Sequence, residues 1–265
     1  TNLTSIIIGN GVTNIGNSAF NGCVSLTGIE LPDSVLFIGN DAFRDCRSMT
    51  HVVLGDGAWG IGHRVFSGCS SLANVVIPDC VDILGSAFDN CSGLTNVSLG
   101  TGISSVDWWT FRNCTNLTHL IIPDNVNRIK QEAFDGCLNL AGVYFQGSAP
   151  VPTGTNWFRG ATNATVYRLP GAEGWPPVPE LWAGRPTALW LPETKADENL
   201  GVQAGKFGFT VGWASGQTIV VEACTNLNDP VWIPVGTNAL DGDSTYFGDS
   251  EWTNLPGRFY RLCKP

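Results

Sequence analysis

The apolar positions of the first 146 residues recur as one phrase in tandem copies. Each copy opens on Ile15, Ile38, Ile61, Ile83, Val106 or Ile129 and places Phe20, Phe43, Phe66, Phe88, Phe111 or Phe134 five residues later. Three residues on comes Cys23, Cys46, Cys69, Cys91, Cys114 or Cys137, and after three more Leu26, Met49, Leu72, Leu94, Leu117 or Leu140. The period is 23 residues, with one step of 22. Alternating pairs such as Ile29/Leu31, Val75/Ile77 and Leu120/Ile122 follow, often closed by Pro32, Pro78 or Pro123.

Alternation with period two is the signature of a strand with one buried face. Proline then ends the strand, because it has no N–H to offer a neighbour. The Phe, Cys and Leu spaced three apart predict one tight helical turn with a buried edge. A single copy is too small to bury its apolar face, so successive copies must stack into one continuous core. The pattern therefore predicts a mostly β solenoid of stacked 23-residue coils with short helical turns.

The phrase "CVSLTGIELPDSVLFIGNDAF", Cys23 to Phe43, resembles the BspA-type leucine-rich repeat of bacterial surface proteins, as do Cys69–Phe88 and Cys114–Phe134. The resemblance implies a right-handed solenoid with a parallel sheet on one face, secreted or held at the bacterial cell surface and engaged in adhesion or protein binding. One copy departs from the phrase at Asp107-Trp108-Trp109-Thr110, where the usual Gly-x-x-Ala is lost. The chain begins in mid-phrase, with Thr1-Asn2-Leu3-Thr4 matching Thr115-Asn116-Leu117-Thr118, so a fragment or a processed chain is expected.

Periodicity fails from Gly147. Residues 1–146 are read as the solenoid, and 147–192 as a degenerate last coil with an aromatic cap built from Trp157, Phe158, Trp175, Trp182 and Trp190. The polar stretch 193–201 reads as a linker. Residues 202–265 alternate in several short runs, Phe207 to Trp213 and Thr218 to Glu222 among them, and predict a small β-sandwich-like domain. This part resembles a β module of exported bacterial proteins, which brings no site with it.

A net charge of −9 opposes a nucleic-acid partner. No apolar run is long enough to span a membrane. Six cysteines placed one per coil lie on a line ~5 Å apart and cannot converge on a metal. Their side chains point in parallel, so buried thiols are expected rather than disulfides. Cys224 and Cys263, each at the end of a predicted strand in a small domain, form a disulfide candidate, and Cys80 is left unpaired. No catalytic set emerges: His51 and His119 share one repeat position three coils apart, ~15 Å. No cofactor, no metal and no catalytic residue is predicted.

The outward positions carry the functional expectation. Between the two buried residues of each strand lie Ile7, Glu30, Val53, Val76, Ser98, Ile121 and Tyr144, and five of these seven are apolar or aromatic. The parallel row Ser5, Gly28, His51, Asn74, Asn96, His119 and Gly142 is small or polar. An apolar ribbon of this kind marks a contact site for a protein partner, against cover by the C-terminal domain or β-propensity alone. A second set, Phe37, Trp59, Trp108 and Trp109, offers flat rings suited to a glycan or a partner hot spot, unless these rings pack on neighbouring coils. The expectation is a monomeric, non-enzymatic binding protein, with a glycan-binding module or a plain structural spacer as alternatives.

Overall fold

The computed structural model describes residues 2–82, 84–195, 197–213, 218–227, 231–240, 244–254 and 257–263. Ile83, one of the repeat positions, lies outside them. The chain divides into two compact units, 1–189 and 190–265.

The first unit is a stack of parallel coils. Its front strands form two runs: Gly28–Glu30, His51–Val53, Asn74–Val76 and Asn96–Ser98, then His119–Ile122, Gly142–Phe145, Thr165–Arg168 and Arg185–Leu189. Register is one coil per strand, with Ile29 beside Val52 and Val143 beside Leu120 and Val166. Shorter pairs such as Phe37–Ile38 and Arg128–Ile129 line a side of each coil, also in parallel. The core columns are the repeat positions themselves. Phe43, Phe66, Phe88, Phe111 and Phe134 are wholly buried, with ring centroids 5.7–5.9 Å apart and planes within 9° of parallel.

The expected helical turn is a run of tight turns instead. N–H groups along it alternate between acceptors in their own coil and in the next. Asn21 and Cys23 donate to Ser18 and Phe20, whereas Phe20 and Gly22 donate to Ala42 and Arg44 of the following coil. A helix would consume every donor internally; here half of them tie coils together. Two left-handed residues bracket the turn and stop it propagating. Two positions before each Phe stand Ser18, Asp41, Arg64, Ser86, Trp109 and Glu132, all at φ between 54° and 60°. Two positions after it stand Gly22, Asp45, Gly68, Asn90, Asn113 and Gly136, also at positive φ.

The six ladder cysteines are buried and free, and the five after Cys23 share a structural task. The Cys46 Sγ–H donates to the Phe20 carbonyl, Cys69 to Phe43, Cys91 to Phe66, Cys114 to Phe88 and Cys137 to Phe111. The thiol thus gives a second hydrogen bond to a core carbonyl that already accepts the cysteine N–H of its own coil.

The solenoid runs past the predicted boundary at 146, as far as Leu189. Phe158 continues the ring stack at 5.1 Å from Phe134, although Ala161 stands in the cysteine slot. Of the predicted aromatic cap, Trp182 is buried in this unit and packs on Phe145, Trp157 and Trp175, whereas Trp190 belongs to the second unit, where its carbonyl accepts the Trp213 indole N–H.

The second unit holds two antiparallel sheets, one of Glu193–Lys195, Lys206–Gly212, Gly201–Gln203 and Ser244–Asp249, the other of Ile233–Ala239, Thr218–Cys224 and Phe259–Cys263. Phe207, Phe209 and Phe247 of the first sheet meet Tyr260 of the second, closing a small sandwich. Two corrections follow. The stretch 193–201 is no linker, since Glu193–Lys195 pairs with Thr210–Gly212 and Gly201 with Gly208. Cys224 and Cys263 form no disulfide: Cys224 lies opposite Phe259 and Cys263 opposite Val220, so four residues, ~13 Å of strand, separate them.

Candidate functional site

Strand register aligns Glu30, Val53, Val76 and Ser98 along one sheet and Ile121 and Tyr144 along the next, while Ile7 lies in no strand. Glu30 neighbours Val53, Val76 neighbours Ser98, and Ile121 neighbours Tyr144. Ile7, Val53 and Val76 are 95%, 51% and 65% exposed, while Ile121 and Tyr144 are half-buried. The row continues beyond the predicted set, for Tyr167 pairs with Tyr144 and stacks on it at 4.5 Å with planes 6° apart. His119 adds a tilted contact to Tyr144 at 5.9 Å. One end of the face is therefore aliphatic and the other aromatic. Tyr167 escaped the sequence reading because it lies beyond the point where periodicity fails.

In the neighbouring row, glycines make room for adjacent rings. A side chain on Gly28 would strike the His51 imidazole, and one on Gly142 would meet the Tyr144 ring at 2.6 Å. Asn74 and Asn96 join their side-chain amides at 2.8 Å. The polar row is thus partly tied down by its own bonds, and the apolar row is most exposed at Ile7, Val53 and Val76.

The second aromatic set does not form one surface. The Phe37 ring lies over Gly60 on the side of the coil, and Trp59 projects alone at 61% exposure. Trp108 and Trp109 instead stand together three and two positions before Phe111. Lys130 sits 4.3 Å from the centre of the Trp108 ring and is held there by Asp107 at 2.7 Å. Arg112 covers the Trp109 ring at 4.6 Å and forks onto Asp89 at 2.8 and 2.7 Å. The Trp109 indole N–H donates to Glu132 at 2.7 Å, which holds that carboxylate below its ordinary pKa.

Both indoles border an open groove of about 550 Å3, with Asn40, Asp41, His63 and Arg64 across from them and Ser86 between. Trp108 also borders a second groove of about 560 Å3, lined with Arg128, Lys130, Val151 and Thr153. Asn40, Asp41, His63 and Arg64 were not singled out from sequence. The signal that locates them is the 22-residue step: counted back from Phe88, the short coil places only Gly85 and Ser86 in the columns where its neighbours carry His63-Arg64 and Trp108-Trp109.

Among the described residues no cluster of His, Cys, Asp and Glu is disposed to hold a metal ion. Among them, too, no helix is long and apolar enough to cross a membrane.

Residues 1–86 and 37–165 match the BspA type leucine rich repeat region, in six copies. Among solved structures, a leucine-rich repeat protein of T. pallidum is 30% identical, with 61% of this chain and 78% of that chain covered and a TM-score of 0.57. A leucine-rich repeat protein of Bacteroides ovatus is 20% identical over 68% of this chain and 58% of that chain, with a TM-score of 0.42. A leucine-rich cell surface protein of Faecalibacterium prausnitzii is 21% identical over 58% and 64% of the two chains, with a TM-score of 0.31. No curated protein matches the chain.

Proposed function

The chain belongs to the BspA-type leucine-rich repeat family of bacterial proteins, and from that premise we propose that it is an exported, non-enzymatic protein that binds a protein partner through the front face of its solenoid. The observation that carries this reading is the exposed row Ile7, Val53 and Val76, continued by the Tyr144–Tyr167 stack. Strand positions facing water are ordinarily polar, and a strip that is apolar except at Glu30 and Ser98 is costly to leave exposed unless something covers it. Rigid tyrosine rings give large contact area at little entropic cost, which suits the centre of an interface. The free cysteines are compatible with export, because the ladder thiols are sealed in the core.

The test is capture from bacterial envelope and host surface extracts, followed by affinity measurement with each purified partner. Exchanging Val76, Ile121 and Tyr144 for Ser is expected to weaken binding at least ~tenfold, equivalent to ~1.4 kcal/mol, with the thermal unfolding profile preserved. Undiminished capture by the triple variant refutes this placement.

A further inference from the structure

The repeat breaks its own pattern twice, once in the short coil and once at Asp107-Trp108-Trp109-Thr110, and these breaks occupy consecutive coils. The groove of about 550 Å3 lies where they meet. Its size falls inside the range of small-molecule sites, roughly 300–1,000 Å3. The small residues Gly85 and Ser86 leave a gap in the side-chain columns, and the half-exposed Trp108 indole borders it. The His63 imidazole leans across the Gly85 backbone, where a Cβ would collide with it.

The polar groups here are planar and mutually neutralised. Arg64 and Asp41 pair at 3.1 Å, leaving no uncompensated charge between them. Asn40 accepts the His63 backbone N–H through Oδ1, which leaves its amide NH2 as a donor, and Gln131, whose NH2 also donates to Glu132 at 3.3 Å, offers its carbonyl oxygen and second N–H on the Trp side. An indole face carries partial negative charge and attracts polarised C–H bonds as it attracts cations. A flat apolar face beside neutral, bidentate hydrogen-bonding groups fits a pyranose ring, which has C–H bonds on its faces and hydroxyls around its rim. A polyanion is disfavoured by the net charge of −9.

The geometry points to a binding site for a neutral glycan in this groove, with Trp108 as the platform and Asn40, Asp41, Arg64 and Gln131 as hydroxyl partners. It lies off the front face and is independent of the protein-binding reading.

Maltotriose, cellotriose and triacetylchitotriose serve as neutral probes, and trigalacturonate as the anionic one, titrated into the full chain by calorimetry and saturation-transfer NMR. At least one neutral trimer is expected to bind with a submillimolar Kd. Trp108→Ala is expected to weaken it at least ~tenfold, and Trp108→Phe, which keeps a ring under Lys130, by a factor of only ~2–3. Gln131→Ala, a surface change, provides a second weakened variant should Trp108→Ala fail to fold. The front-face triple variant should bind the sugar as the parent does. No neutral trimer binding at about 10 mM, binding to trigalacturonate alone, or parental affinity in both Trp108→Phe and Gln131→Ala overturns the assignment.

Discussion

Cys46 shows what one position in each coil does. Its side chain has the size of a small hydrophobe, yet its S–H also meets the Phe20 carbonyl at 3.2 Å. Burial pushes its pKa from 9.0 to about 11, and that of Cys137 to about 12. Cys69, Cys91 and Cys114 move in the same direction for the same reason. A raised folded-state pKa means that the unfolded chain releases its proton first as pH rises. The stabilisation is complete below the ordinary thiol value and drains away above it. Stability is therefore expected to hold level from neutral pH to about 8.5, then fall by up to ~1.4 kcal/mol per pH unit for each such thiol. Urea midpoints measured across that range test this. A level profile up to pH 10.5, well beyond ~9 for an ordinary thiol, contradicts it.

At the scale of the element, the turn between the side strand and the front strand differs most from its sequence reading. Spacing of three suggested a helical turn, but spacing cannot show that alternate N–H groups are claimed by the next coil. The left-handed bracket has an energetic consequence that can be measured. Gly136 has φ 72°, and a Cβ there would strike Asn113 Oδ1; Gly16 has ordinary φ and open space around it. Gly136→Ala is expected to cost ~1–2 kcal/mol or more, and Gly16→Ala less than ~0.5 kcal/mol. Chemical denaturation of the two variants side by side decides it, and equal costs argue against the bracket.

For the molecule as a whole, nine cysteines and no disulfide form an unusual ledger for a protein proposed to be exported. Seven of the nine are buried, Cys263 is half-buried and Cys80 is exposed. Folded protein is expected to yield Cys80 first to a thiol reagent, with all nine reacting only in denaturant. Intact mass should not change on reduction. A Cys224–Cys263 bridge would appear there as a gain of about 2 mass units, two hydrogens, on reduction. Rapid reaction of the ladder thiols in the native state would mean that the coils open far more readily than their packing allows.

Repetition alone made the solenoid, its core columns and its buried thiols legible. Each repeat position has to satisfy the coil before and the coil after it, so six copies state the same constraint six times. Tertiary structure alone decided what depends on register between distant segments. Phe158 carries the ring stack onward without a cysteine behind it, because stacking needs the ring and not the phrase. Polar residues 193–195 become a strand because Thr210–Gly212 offers an unpaired edge. Antiparallel register sets Cys224 and Cys263 at opposite ends of their strands. Tyr167 joins Tyr144 one coil away, and His63 and Trp108, two coils apart, border one groove across the short coil, because neighbours on a solenoid surface are only chosen once the coils stack.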